Sequence, residues 1–328
     1  MNNKIMVYAE IKDCKVESSA YELFTKAKEL FPGEDVKFAF VALGKGIDAA
    51  VAELKESGAD VVYAMDDEKL AVYNVDYYSI GVMGAVKEFD PDILLMPASM
   101  LGEELAPTLG LKLKTGVAAH CVDLCIREED GAYVQMVPAF GGKVIGEILI
   151  PNTRPQIASI KPGNFTAVKQ EAKDAEVVAL DKAELAAFTS KIEVVEVVEE
   201  KVEGLPIEKA DIVVCGGYGT GSQENWNNIE KLAALFGGAP GCTRPVIDEG
   251  WMPNEKNMVG TSGKTIRPKV YIGTGISGAT HHLCGMKDSG VIICINNDAD
   301  AEIFGSANYK VVGDGNKIVA ELCAMLEK

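Results

Sequence analysis

Over roughly the first ninety residues, short apolar runs alternate with segments whose apolar positions recur at helical spacing. "KIMVYAEI", "VKFAFVAL", "DVVYAM" and "DILLMPAS" read as strands. Between them the pattern predicts helices over Ser18–Leu30, Ile47–Ser57 and about Val75–Phe89. Ser18 suits an N-cap and Gly58 closes the second helix. Such alternation predicts a parallel, doubly wound sheet with helices on both faces. After Gly116 the pattern changes. "VAAHCVDLCI", "AYVQMVPAF" and "KVIGEILI" read as consecutive strands parted by "REEDG" and Gly141-Gly142, an antiparallel extension of the sheet. "RPQIASIKPG" adds one more strand.

From about Glu171 to Leu205 the chain is rich in Glu, Lys, Val and Ala, with a helix expected near Lys182–Phe188 and a strand in "KIEVVEVVEE". That shift in composition places a boundary between residues 1–205 and residues 206–328. A second strand–turn–helix series then begins. Strands are expected at Asp211–Cys215, Lys269–Ile272 and Val291–Asn296, and helices at about Asn225–Phe236, Ala279–Cys284 and from Lys317. The predicted fold class is α/β with two doubly wound domains. The N-terminal one carries a parallel sheet with an antiparallel extension, and the C-terminal one is Rossmann-like. A length of 328 residues accommodates both.

Composition adds mainly exclusions. The net charge of −17 argues against nucleic acid, whose phosphates need a basic surface. No apolar run approaches the roughly 18 residues of a membrane span, and the first twenty residues lack the apolar core of a secretory signal. A cytoplasmic protein is expected. The eight cysteines are scattered singly, as buried small hydrophobes in a reducing compartment would be. His120 and Cys121 lie near Cys125, but no second cluster stands at metal-ligand spacing, so no metal is expected.

The chemistry concentrates in the second half. "GTSGKT" (Gly260–Thr265) resembles a phosphate loop, yet Met258 stands where the first glycine of G-x-x-x-x-G-K-[ST] is required. Triphosphate hydrolysis is therefore not indicated. Gly273, Gly275 and Gly278 form a G-x-G-x-x-G between the strand-like "KVYI" and the helix-like "ATHHLCGM", with Asp298 twenty residues beyond Gly278. "CGGYGTGS" (Cys215–Ser222) is a third glycine-rich strand-to-helix turn. Three such turns at carboxyl ends of strands favour a bound nucleotide cofactor. His281 and His282 follow the second turn, and Arg244 is a cation in a segment sparse in them. No Ser or Cys stands at nucleophilic-triad spacing to a histidine, so no catalytic residue is assigned.

Ordered motifs then give a family resemblance: "LFGGAPGCTRPVIDEGWMPN", "VGTSGKTIRPKVYIGTGISGATHHLCGMKDS", "VIICINNDADAEIF" and "YKVVGD", with "PAFGGKVIGEI" and "RPQIASIKPG" earlier in the chain. Together they resemble the α subunit of electron-transfer flavoprotein over almost the whole length. The resemblance implies an FAD carrier working as a heterodimer with a β subunit, which packs on the N-terminal domain. Acyl-CoA dehydrogenase-type or other redox partners would exchange electrons with the flavin. Carried over by position, Arg244 would lie over the flavin ring, Ser262 would contact flavin N5, and His282 would stand near the pyrimidine carbonyl. Gly260, Thr261 and His281 would belong to the same pocket. The turn of Gly275, Ile276, Ser277, Gly278 and Ala279 would hold the chain near the pyrophosphate and ribityl, with Asn296 and Asp314 farther along the dinucleotide. A fixed arginine and a hydrogen-bonding histidine would stabilise negative charge on the reduced flavin.

Three positions depart from the family pattern: Tyr218 where arginine is common, His281 where glutamine is common, and Ser262 in place of a frequent threonine. Two other readings stay open at this stage. The G-x-G-x-x-G with Asp298 would also serve an NAD(P)-dependent oxidoreductase, and the glycine loops could hold a nucleotide with a purely structural role. Whether the protein is a simple carrier or part of an electron-bifurcating flavoenzyme depends on whether the β subunit holds AMP or a second FAD.

Overall fold

The structure, a computed structural model, describes residues 4–33, 35–139, 144–198, 205–253 and 255–327. It divides into two compact units, Met1–Val197 and Val198–Lys328.

The first unit begins with β1 (Lys4–Ala9), the short hairpin β2 (Ile11–Lys12) and β3 (Lys15–Val16), and α1 (Ser18–Leu30). Then follow β4 (Lys37–Gly44), α2 (Asp48–Lys55), β5 (Val61–Asp66), α3 (Val75–Phe89), β6 (Ile93–Pro97) and α4 (Met100–Leu113). The second half adds β7 (Val117–Cys121), β8 (Asp123–Ile126), β9 (Tyr133–Ala139), β10 (Val144–Ile148), β11 (Gln156–Ile160), β12 (Glu176–Ala179) and α5 (Ala183–Ala187). Seven strands form one sheet in the order β12-β5-β4-β1-β6-β11-β7, every pair parallel. Its central strands are buried on both faces, as parallel sheets between helical layers are. Ile5, Val7 and Ala9 enter one core with Phe24 of α1, while Met6 and Tyr8 enter the other with Val82 and Leu105 of α3 and α4.

Several expectations need correction here. The residue capping α1 is Glu17, without a side-chain bond, and not Ser18, whose hydroxyl turns to Glu22. β8, β9 and β10 make a separate three-stranded antiparallel sheet, while β7 and β11 join the parallel one. "VAAHCVDLCI" is thus two strands, parted at Val122. The helix α4 was not anticipated, because Gly102, Pro107 and Gly110 interrupt its pattern. Its glycines have packing reasons: a Cβ on Gly102 would lie 1.8 Å from the Pro97 carbonyl oxygen, and one on Gly110 2.4 Å from Val117. Conversely, the described part of "KIEVVEVVEE" is not a strand; it finds no neighbour to pair with, and Val195 is 92 % exposed. The edge of the sheet is taken instead by β12, which pairs with β5.

The second unit comprises β13 (Ile212–Gly216), α6 (Gln223–Leu235), β14 (Ala239–Cys242), α7 (Arg244–Asp248), β15 (Val270–Thr274), α8 (Thr280–Leu283), β16 (Val291–Asn296), β17 (Tyr309–Val312) and α9 (Gly315–Leu326). Its sheet is wholly parallel in the order β14-β13-β15-β16-β17. β14 and β17 are edge strands that the periodicity hid, β14 because it reads "APGC" and β17 because it is four residues long. The strand order reverses between β13 and β15. In open sheets of this kind the crevice at the carboxyl ends beside that reversal is where ligands bind. Among the described residues, no helix is long and apolar enough to cross a membrane.

Candidate functional site

A cleft of about 1200 Å³ opens at those carboxyl ends. The carboxyl ends of all five strands line it: Tyr218 after β13, Arg244 after β14, Gly275 after β15, Asn296 as the last residue of β16 and Asp314 after β17. All the residues that the resemblance assigns to the cofactor line this cleft except Gly278. Gly278 serves the turn from behind: its φ is +93°, and a Cβ there would lie 2.0 Å from the Ile303 nitrogen.

Glycine sets the floor of the cleft. The Gly217 N–H donates to the Thr274 carbonyl at 2.9 Å, and the Gly219 N–H donates to the Gly275 carbonyl at 2.9 Å. Gly275 has φ +62°, and a Cβ on it would sit 2.8 Å from the Gly219 carbonyl carbon. The turns after β13 and β15 thus pack backbone against backbone. The "CGGYGTGS" glycines serve this contact as well as any ligand. In the turn after β15, the N–H groups of Ile276 and Ser277 bond to no other group of the described protein. They remain available to an anion or a polar ligand. The following helix, α8, spans only four residues, so its dipole adds little. The expected helix at Ala279–Cys284 is there, with Ala279 and Cys284 as its capping residues.

The "GTSGKT" loop forms an adjoining wall. It folds on itself through the Gly260 N–H to the Lys264 carbonyl at 3.1 Å and the Gly263 N–H to the Gly260 carbonyl at 3.1 Å. It then joins the segment after β15: the Thr261 N–H donates to the His281 carbonyl at 2.9 Å, and Thr261 Oγ1 lies 3.0 Å from His281 Nδ1. Gly260 has φ +141°, and a Cβ there would lie 2.6 Å from the same carbonyl oxygen. Two glycine motifs that look like separate nucleotide signatures are two sides of one cleft. Ser262 and Ser277 are exposed along it.

The charged and titratable groups are few. Arg244 lies at the start of α7, about two-thirds exposed, with Nε 3.8 Å from Asp248 Oδ1 one turn along. Asp248 also lines the cleft and was not singled out from the sequence, though its i+4 spacing from an arginine is a readable signal. His282 is buried, and burial pushes its pKa down to about 4, so its ring is neutral near pH 7. Its Nδ1 lies 3.1 Å from the Val259 carbonyl and its Nε2 2.7 Å from the Tyr271 hydroxyl. Both ring nitrogens are therefore engaged within the protein. Donation from His282 to a cofactor carbonyl would require one of these bonds to be exchanged. Tyr271 escaped notice as one residue of a strand. The available signal was its place two residues before Gly273, over which its ring lies.

Asn296 and Asp314 also have structural duties. The Asn296 amide donates to the Ile276 carbonyl at 2.8 Å and accepts from the Asp298 N–H at 3.0 Å, bracing the turn after β15. Asp314 caps α9, accepting from the Asn316 and Lys317 N–H groups at 3.1 and 3.3 Å. At the rim, Tyr218 stacks on Trp251 with ring planes 13° apart. An aromatic pair therefore stands at this edge of the cleft, where the sequence puts Tyr218. Burial pushes the thiols of Cys242 and Cys294 up to about 12, which leaves them protonated and inert. Among the described residues no three His, Cys, Asp or Glu side chains gather as a metal site.

Comparison with known proteins covers nearly the whole chain. Residues 5–185 match the family described as "Electron transfer flavoprotein domain", and residues 206–287 match "Electron transfer flavoprotein FAD-binding domain". The electron transfer flavoprotein subunit alpha of Clostridium acetobutylicum is 38% identical over 98% of this chain and 96% of its own. That of Thermoanaerobacterium thermosaccharolyticum is 35% identical over 99% and 98%. The subunit LctC of the lactate dehydrogenase (NAD(+),ferredoxin) of Acetobacterium woodii is 33% identical over 98% of this chain and 77% of its own.

Proposed function

The chain belongs to the electron transfer flavoprotein family as an alpha subunit carrying that family's FAD-binding domain, and from this premise we propose that the cleft at residues 218–316 holds the FAD through which the protein relays electrons. The observation that supports this reading most is the joining of the Gly260–Gly263 loop to the Gly275–His282 segment, which makes one elongated cleft of two glycine-rich walls. Bound FAD supplies reversible one- and two-electron redox chemistry.

The residues present fit that group. The Ile276 and Ser277 N–H groups, at a turn whose glycines keep side chains out of the way, suit the pyrophosphate. The Ser262 hydroxyl suits the polar edge of the isoalloxazine, and Arg244 is the charge that favours its reduced, more negative form. Asp298 and Asp314 repel phosphate, and we place them with Asn296 toward hydroxyls of the ribityl or ribose. These groups bind and tune the cofactor, so none is assigned as an acid–base catalyst.

The family implies a β subunit as partner. We propose that residues 1–205 pack with it and that dehydrogenases of the acyl-CoA dehydrogenase type, or other redox proteins, exchange electrons with the assembled heterodimer. A second version of the function, participation in an electron-bifurcating flavoenzyme, is favoured by the likeness to LctC, a subunit of an enzyme named for both NAD(+) and ferredoxin.

The heterodimer purified with its β subunit and supplied with FAD is expected to show the oxidised-flavin absorption bands, with one flavin per heterodimer in a simple carrier and two in a bifurcating one. A colourless heterodimer that takes up only a nicotinamide dinucleotide would overturn the reading.

A further inference from the structure

We infer that Ser190 is the hub of a clamp, built with Lys69, Asn74, Asp76 and Tyr77, that roots the connection between the two units at Ile192. The clamp belongs to the first unit alone; only its consequence for the cofactor rests on the FAD reading above.

Three side chains of the clamp are spent to capacity. Lys69 lies in the single helical turn Glu68–Leu70 that precedes α3. An ammonium has three N–H donors, and the Lys69 Nζ gives them to the carbonyls of Leu185, Ala186 and Phe188 at 2.7, 3.2 and 2.8 Å. A cation thereby closes the carboxyl end of α5. Asn74 is buried, and its amide faces two ways. Its Oδ1 caps α3 by accepting from the Asp76 and Tyr77 N–H groups, which fixes the other side as the nitrogen. That Nδ2 donates to Ser190 Oγ at 3.3 Å and to the Ile192 carbonyl at 3.1 Å. The Ser190 hydroxyl donates to Asp76 Oδ2 at 2.7 Å, and accepts from Asn74 and, at 3.0 Å, from the Ile192 N–H. One donor and two lone pairs are all that a hydroxyl has. The Ser190 N–H goes to the Tyr77 hydroxyl at 3.3 Å, and the Tyr77 ring meets Phe188 edge-on at 6.3 Å.

Beyond Ile192 these contacts stop. Among the described residues, no backbone N–H of residues 193–198 donates to a protein group, and Val195, Val197 and Val198 are exposed. In the second unit, Ile207 is the first described residue to be buried. Residues 193–206 are therefore the length between the two anchors, with a reach of at most about 50 Å. With the clamp open, the last anchor in the first unit would be the buried Leu185, and the reach would rise to about 75 Å. A connection half again as long dilutes a tethered unit about twofold. Side chains at the start of α3 thus set the span over which the unit with the FAD cleft is tethered.

The test is amide hydrogen exchange of the heterodimer, resolved to single residues by mass spectrometry, with and without FAD. In the unsubstituted protein the Ser190 and Ile192 amides are expected to be protected about tenfold more than those of residues 194–198, the worth of roughly one hydrogen bond. Ser190→Ala removes the oxygen to which the Ile192 N–H is bonded. It is expected to speed exchange about tenfold at position 192 and also at position 190, although the Tyr77 hydroxyl that accepts from position 190 is untouched. Ser190→Thr keeps the hydroxyl and is expected to keep the protection. Equal protection on the two sides of Ile192 in the unsubstituted protein would overturn the inference. So would a loss confined to position 192 in Ser190→Ala, since the bonds would then be separate and Ser190 no hub. Because exchange is read without cofactor as well, a failure of FAD to bind would count against the function and not against the clamp. Should Ser190→Ala not fold, the unsubstituted protein still decides.

Discussion

Replacing Arg244 by alanine lowers the one-electron midpoint potential of the bound FAD by about 60 mV, a tenfold change in the one-electron equilibrium. The reduced flavin is the more negative form, and Arg244 is the full cation among the described residues of the cleft wall. A unit charge about 10 Å from another, at an effective dielectric of about 20, is worth roughly 1.7 kcal/mol. Arg244 is about two-thirds exposed, so screening brings this down to about 1.4 kcal/mol, the energy of a tenfold change. Asp248 makes the prediction sharper. Its carboxylate, 3.8 Å from the guanidinium, offsets part of the charge. Asp248→Ala should therefore raise the potential, and the double variant should lie between the two single ones. Potentiometric titration of the three heterodimers checks the set. An unchanged potential in Arg244→Ala, or a lowered one in Asp248→Ala, would show that this pair does not face the redox-active ring.

Gly275→Val should abolish FAD binding and destabilise the C-terminal unit by about 3 kcal/mol or more. Two independent costs add. A β-branched residue at φ +62° is strained by about 1–3 kcal/mol. The new Cβ would also stand 2.8 Å from the Gly219 carbonyl carbon and 2.9 Å from the Thr220 nitrogen, and both are backbone atoms that cannot swing away. The turns after β13 and β15 would have to part, and the cleft floor would part with them. Gly237 is the control: its φ is +65°, but nothing lies within 4 Å of a Cβ there, so Gly237→Ala should cost only the backbone term, about 1 kcal/mol. Both tryptophans, Trp226 and Trp251, belong to the C-terminal unit. Tryptophan fluorescence during urea denaturation therefore reports that unit alone, and equal losses for the two variants would defeat the packing argument.

Much of this was legible in the residues, for identifiable reasons. β1, β4, β5 and β6 are buried on both faces and read as continuous apolar runs, and α3 has the amphipathic spacing and the Asn74 cap of an ordinary helix. The elements that escaped are those where packing overrides pattern. α4 accepts two glycines because β6 and β7 come too close for side chains, and β14 is a strand despite its proline and glycine because it lies at an edge. "KIEVVEVVEE" erred in the other direction: strand propensity alone does not make a strand when no partner strand is beside it. At the cleft, glycine spacing announced the turns. It could not tell which glycines line the cleft and which, like Gly278, support it from behind. Nor could it show that His282 is engaged on both ring nitrogens. That fact depends on Tyr271, eleven residues earlier, and on Val259, whose backbone carbonyl has no sequence signature.

The central claim, that this cleft is the FAD site, is tested most directly by a crystal structure of the FAD-loaded heterodimer. The account predicts the isoalloxazine beside Arg244 and Ser262, the pyrophosphate on the N–H groups of Ile276 and Ser277, and the remainder of the dinucleotide running toward Asn296 and Asp314. Flavin found only in the partner subunit, with the Gly260–Gly263 loop and the Gly275–Ala279 turn free of it, would contradict the account.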